Sequence, residues 1–125
     1  MSTLLTYDFC DVEVHNSYMI VVMNTGTHIS PDYNKVLTDI VTAYFSNKPF
    51  VYITHRKNSY SVDPTIYKRT SKIKNLVGFA VVAAIPISKA NAEVEKQFMT
   101  KPFEIFQTLA SATKWAKSLV KAYEA

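Results

Sequence analysis

Hydrophobic and polar positions along the chain form four successive units, each an apolar strand-like run followed by a helix-start signal. The apolar runs are Tyr18–Met23, 50–54, 77–85 and Phe103–Phe106. The helix starts that follow them are, in order, Ser30-Pro31, Asp63-Pro64, Ser88 and Thr108, whose side-chain oxygens suit the exposed amides of a first helical turn. This alternation predicts an α/β fold, a βα superhelix in which helices cross between strands of one sheet.

The segment before the first apolar run predicts an N-terminal hairpin. Phe9, Val12 and Val14 lie among acidic and polar residues, as in an exposed strand. Asn16-Ser17 can then turn the chain into Tyr18–Met23. A mixed sheet is therefore expected, with an antiparallel part ahead of the parallel units.

The helices are predicted from apolar residues at helical spacing. The first helix has Val36, Leu37, Ile40, Val41, Tyr44 and Phe45 on one side, and the second has Ile66, Thr70 and Ile73. The third helix has the line Ala90, Val94 and Phe98, and the last has Leu109, Ala112, Trp115, Ala116, Leu119, Val120 and Tyr123. Gly78 and the alanines of 77–85 predict close helix approach to that strand.

Two of the runs, Tyr18–Met23 and 77–85, are apolar on both sides of the pleat, which is typical of strands covered on both faces. Right-handed crossovers that continue in one direction place their helices mainly on one face. The N-terminal segment, a second copy of the chain or an apolar ligand could cover the other face. Self-association is the commonest use of leftover apolar surface, so a homodimer is favoured over a ligand.

Composition limits the function classes. The 125 residues suit one domain, 1–125, and 48% hydrophobic with 19% charged residues excludes a mainly disordered chain. Two Gly exclude a glycine-rich phosphate loop, and one Cys, Cys10, excludes an internal disulfide and indicates the cytoplasm. The acidic N-terminus does not resemble a signal peptide, and the longest apolar run, 79–85, is too short to span a bilayer. The net charge of +4 permits weak attraction to anions.

The order of these residues resembles a known family. A strand turns at Gly26 into the Ser30-Pro31-Asp32 helix start, and Val51-Tyr52-Ile53 leads into a polar loop. The chain closes with Pro102-Phe103-Glu104-Ile105-Phe106, followed by Ala112 and Trp115-Ala116. From Val12 to Val120 this pattern resembles small bacterial STAS-like proteins related to anti-sigma-factor antagonists, whose superhelix is shared with CRAL-TRIO lipid carriers.

The resemblance implies a mixed sheet with about four helices mainly on one face, and a role in protein–protein regulation without catalysis or a cofactor. Classical members carry a phosphorylatable Ser or Thr after the strand matched by 50–54, within a motif close to Asp-Ser-Ser-Gly. Here that stretch lacks the Asp and the Gly, and Ser59 and Ser61 are the candidate phosphoacceptors.

The predicted binding site lies beyond the carboxyl ends of the strands, where open α/β sheets bind ligands. The loops 25–29 and 55–62 follow two of these strands. If the strands are neighbours, the loops bring one group of polar side chains to a single edge: His28, His55, Arg56, Ser59, Tyr60 and Ser61. Such a group could bind an anion or a protein partner, with Arg56 holding a carboxylate or phosphate through two hydrogen bonds. An ordinary solvated loop is the alternative.

Other chemistries are less favoured. The three histidines share no metal-ligand spacing, and Cys10 and His15 lack a third, orienting group. The basic stretch from Arg56 to Lys74 fits a solvated helix face better than a nucleic-acid surface. The final helix fits docking on the sheet better than membrane insertion. A carrier of small apolar molecules or lipid stays as the alternative function, and hydrolase or transferase chemistry at a His28/His55 edge as a third.

Overall fold

The computed structural model describes residues 2–58 and 60–124. The strands are β1 Thr3–Thr6, β2 Cys10–Val14, β3 Tyr18–Met23, β4 His28–Ile29, β5 Phe50–His55, β6 Ser61–Val62, β7 Leu76–Val82 and β8 Phe103–Phe106. The helices are α1 Tyr33–Tyr44, α2 Ile66–Thr70, α3 Pro86–Lys96 and α4 Leu109–Glu124. The predicted alternation of strands and helices is confirmed.

Six strands form one mixed sheet in the order β1-β2-β3-β5-β7-β8. The first three are antiparallel neighbours, and β3, β5, β7 and β8 are parallel. The predicted hairpin is β2–β3, and β8 lies at an edge. The outermost strand, β1, was not predicted because four residues that are mostly exposed carry no burial pattern.

Helices α1, α2 and α3 cover one face of the sheet. Each connects two parallel strands that follow one another across the sheet, so right-handed crossovers put all three on the same side. Aromatic rings fill this side: the Tyr52 and Phe79 rings stack at 4.7 Å and the Phe79 and Phe103 rings at 5.2 Å. The largest core cluster of the described residues therefore lies under these helices.

The final helix, α4, covers the opposite face. It follows the last strand and makes no crossover, so handedness does not hold it to the first side. Ala112, Ala116 and Val120 are buried against a set of strand residues that includes Val51, Ile53, Val77, Ala80 and Val82. A Cβ at Gly78 would lie 2.5 Å from the Leu119 Cδ2 and 2.9 Å from the Trp115 Cη2, which confirms the close approach. The apolar second face is thus covered by the chain itself.

The predicted apolar side of the third helix is wrong. Val94 is 55% exposed and Phe98, just beyond the helix, is 42% exposed. The buried residues of α3 are instead Ala92 and Glu95. Apolar spacing misidentified the inner side because a carboxylate occupies it and is satisfied there by hydrogen bonds.

Candidate functional site

The carboxyl ends of β3 and β5 lie side by side because these strands are parallel neighbours. The chain beyond each forms a short strand, and these strands, β4 and β6, pair in parallel. His28 stands opposite Ser61, and the His28 Nδ1 lies 2.7 Å from the Ser61 Oγ. The Ser61 amide donates to the Thr27 carbonyl at 2.9 Å. The two predicted loops therefore meet, and we call residues 27–29 and 60–63 the loop edge.

The contact between His28 and Ser61 joins a base to a hydroxyl, but both side chains are exposed. The carboxylate of Asp63 accepts hydrogen bonds from the Thr65 hydroxyl at 2.8 Å and the Thr65 amide at 3.0 Å. These bonds lower the pKa of Asp63, with a smaller contribution from His28. Asp63 thus holds the turn that leads into α2, whose N-cap is Thr65 and not Asp63 as predicted. Asp63 does not orient the imidazole through a hydrogen bond.

Arg56 and Glu95 form a buried ion pair beneath the loop edge. The Arg56 Nη1 donates to the Glu95 Oε2 at 2.8 Å, and the Nη2 donates to the Oε1. The two side chains are only 7% and 8% exposed. Burial disfavours the Arg56 charge, but the hydrogen bonds to Glu95 and the electrostatic effects of Tyr60, Glu95 and Tyr67 together outweigh it and raise the pKa of the guanidinium. The carboxylate that Arg56 binds here is internal, so its role toward an external anion stays a prediction.

Two tyrosines extend this ion pair into a network. The Tyr67 hydroxyl donates to the Glu95 Oε1. Burial, and then the Glu95 charge, hold the pKa of Tyr67 well above its ordinary value, so the phenol keeps its proton. On the other side, the Arg56 Nε donates to the Tyr60 hydroxyl at 3.1 Å, and that hydroxyl lies 2.8 Å from the Thr54 Oγ1. The network fastens the chain after β5 to both α2 and α3.

A small cavity lies between this network and α1. Tyr33 and Tyr52 line it and share a hydrogen bond of 2.8 Å between their hydroxyls. The free space is about 20 Å³, which suits one water molecule. Drug-sized ligands need about 300 Å³ or more, so this cavity does not accommodate a lipid or an apolar ligand in the observed conformation.

The remaining predicted site residues do not join this group. His55 ends β5, and side-chain alternation puts it on the α4 face, away from Thr54. Burial, and then the Lys57 charge, lower the pKa of His55. Within residues 2–58 and 60–124, His28 and His55 share no hydrogen bond. The candidate phosphoacceptor Ser59 lies outside the described residues.

Sequence reasoning missed Glu95 and Tyr67. Glu95 lies 39 positions after Arg56, a separation at which no local pattern links two residues. One signal was present: Ala92, Glu95 and Met99 recur at helical spacing and form the buried side of this segment.

An open groove of about 300 Å³ runs between the loop edge and α3. Its lining is mixed in polarity and comprises Arg56, Tyr60, Ser61, Val62, Pro64, Asn91, Val94 and Glu95. We call it the α3 groove. Beside it, the outward side of α3 and the residues next to it expose Ile87, Ala90, Val94 and Phe98, which we call the α3 ridge.

The described part of the chain lacks the features of a metal site and of a membrane-spanning helix. No group of three or more His, Cys, Asp or Glu side chains is arranged to hold a metal ion there. None of the helices described there has the length and apolar character needed to cross a membrane.

Comparison with known proteins identifies the fold. No protein-family profile matches the chain, and no curated protein matches it. A solved structure from Shewanella loihica PV-4, described as an uncharacterised protein of the DUF3478 family with a SpoIIAA-like fold, superposes with a TM-score of 0.52. The match covers 93% of this chain and 92% of that chain at 11% identity. The chain therefore has a SpoIIAA-like, that is STAS-like, α/β fold, as the resemblance implied.

Proposed function

We propose that this chain is a STAS-like regulatory domain that binds a protein partner at the loop edge and catalyses no reaction. The observation that carries the proposal is the pairing of β4 with β6, which joins two loops from neighbouring strands into one surface at the carboxyl edge of the sheet. Loops held in this way on a rigid sheet are where proteins of this architecture bind their ligands.

The arrangement of polar groups favours binding over catalysis. The His28–Ser61 pair is exposed, and the closest carboxylate in sequence, Asp63, is committed to Thr65. The buried cation beneath the loop edge, Arg56, is neutralised by its ion pair with Glu95. Acyl transfer of the serine–histidine type requires a buried orienting group and donors for an oxyanion, which this exposed pair does not bring together.

A carrier function has less support. The free space of the cavity among the tyrosines is about 20 Å³, well below the volume of a lipid chain. The apolar sheet face that suggested a homodimer is occupied by α4, so the fold does not require a second copy. We place the domain in the cytoplasm because its single cysteine, Cys10, is buried and free.

The test is affinity capture of the tagged chain from its own cells, with quantitative mass spectrometry. We expect Ser61→Arg to lose the partner, because Ser61 is exposed at the centre of the loop edge. The matched control is Ser118→Arg, an exposed serine on α4 across the sheet. A partner retained equally by both variants, or no partner enriched by the wild-type chain, would contradict the proposal. Phosphopeptide mapping of the same samples tests Ser59 and Ser61 as phosphoacceptors.

A further inference from the structure

The exposed apolar side chains of this protein are concentrated at one place. Seven large hydrophobic residues are exposed among those described, and four of them lie between residues 85 and 98. Ile87 is 70% exposed and Val94 is 55% exposed, and their spacing of seven positions puts them on one side of α3. Contiguous exposed apolar surface of this kind marks an interaction site more often than scattered residues do.

The α3 groove adjoins this apolar surface. Val94 belongs to both the ridge and the groove, and Asn91, one turn earlier, lines the groove as well. Tyr60 and Ser61 line the opposite wall. Their hydroxyls already contact Arg56 and His28, so the exposed Asn91 amide is the group that offers hydrogen bonds to a partner. A ridge that buries apolar side chains and a groove that offers hydrogen bonds together suit an amphipathic helix of a partner, which needs both.

Charge identifies the kind of partner. Helices α2 and α3, which follow one another on this face of the sheet, expose four cations, Lys68, Arg69, Lys89 and Lys96, and one carboxylate, Glu93. Arg56 and Glu95 neutralise each other, so the excess on this part of the molecule comes from the other basic residues. A second copy would bring the same positive excess and be repelled, while an acidic segment would be attracted.

We propose that an acidic amphipathic helix of a partner protein docks with its apolar side on the α3 ridge and its carboxylates toward the exposed Lys and Arg side chains of α2 and α3. This inference rests on the proposed function and names the chemistry of the partner. An anionic membrane would match the same charges, but the α3 groove is concave and mixed in polarity, which suits a protein segment better than a lipid surface.

The test is NMR titration of the ¹⁵N-labelled chain with a synthetic four-turn helical peptide of Leu and Glu in amphipathic order. The control peptide has Lys in place of Glu. We expect the acidic peptide to shift the amides of Ile87, Asn91 and Val94, and the Lys peptide to leave them unchanged. The double variant Ile87→Ser, Val94→Ser should weaken binding at least about tenfold, because it removes two aliphatic contacts. Leu4→Ser, which removes an exposed leucine of β1, should leave the affinity unchanged.

Three results would overturn the inference: no shift with the acidic peptide, equal shifts with both peptides, or equal affinity in the ridge variant. The chain could instead sediment with phosphatidylserine vesicles, in a manner that depends on Ile87 and Val94, and fail to bind the peptide. That result would assign the ridge to membrane binding. The proposed function fails separately. If affinity capture gives a partner that depends on Ser61 but not on the ridge residues, the partner-binding function stands and the docking inference falls.

Discussion

Arg56 and Glu95 bind each other through two hydrogen bonds and join the chain after β5 to α3. Within its bounds, α3 buries one apolar residue, Ala92, and one charged residue, Glu95. The position of α3, and with it the α3 groove and the α3 ridge, therefore depends on an ion pair more than on hydrophobic contact.

The first prediction concerns the cost of breaking this pair. Arg56→Met leaves the Glu95 carboxylate buried without its cation, so we expect the free energy of unfolding to fall by about 3–5 kcal/mol. Adding Glu95→Gln removes the buried charge and keeps an oxygen for the Tyr67 hydroxyl. The double variant should therefore regain a clear part of the loss. Urea denaturation followed by circular dichroism measures both values.

The control for this experiment is Lys57→Met, which removes an exposed neighbouring cation and should change the free energy of unfolding by less than about 0.5 kcal/mol. A loss in Arg56→Met no larger than in this control would mean that the ion pair does not hold α3. A double variant less stable than Arg56→Met alone would mean that the uncompensated charge is not the cause.

The second prediction is alkaline destabilisation through Cys10. Burial raises the pKa of this thiol from 9.0 to about 11, with a smaller effect of Asp11. Above pH 9 the unfolded chain loses this proton while the folded chain keeps it, so rising pH favours unfolding until the folded thiol titrates near pH 11. The contribution should decline by about 1.4 kcal/mol per pH unit in this window.

Comparison with Cys10→Ala isolates that effect, because the buried tyrosines titrate in both chains. We expect the stability difference between wild type and variant to be constant below pH 9 and to change steadily above it. Thiol titration with Ellman's reagent should be slow in the folded chain and fast in urea. A parallel pH dependence of the two chains, or a rapid reaction of the folded chain, would show that the thiol is not protected.

The third prediction concerns the contact of α4 with β7. In Gly78→Ala the new methyl group would meet Leu119 and Trp115, and the helix must shift to admit it. We expect a loss of about 1–3 kcal/mol from overpacking. Leu119→Ala makes room for the methyl group, so the double variant should lose less than the sum of the two single changes. Additive losses in thermal or urea unfolding would refute the close approach.

The fourth prediction tests the role of α4 as the cover of the second sheet face. A chain ending at Gln107 exposes Ile53, Val77 and Val82, which α4 buries in the full chain. We expect this truncated chain to self-associate, as measured by size-exclusion chromatography with light scattering, and to bind a hydrophobic dye. A truncated chain that stays folded, monomeric and free of dye would show that the face does not need its cover.

The alternation of the four main strands with four helices follows from the sequence alone, because the signals that define it are local. The apolar run at Tyr18–Met23 forms β3 as predicted, and Asp63 holds the turn just before α2 through its bonds to Thr65, two residues away. Gly78 likewise predicted the close approach of a helix, because it has no side chain. Right-handed crossovers then lead to the arrangement of α1, α2 and α3 on one face.

The tertiary structure alone decided which surfaces face each other. The side of α3 that is buried and the partner of Arg56 both depend on residues distant in sequence. The position of α4 is also decided only in the tertiary structure, because α4 follows the last strand and is not part of a crossover. It packs on the apolar face of the sheet that the other helices leave uncovered. A local pattern shows that a residue prefers burial or a hydrogen bond. Only the folded chain determines which residues bury it or form that hydrogen bond.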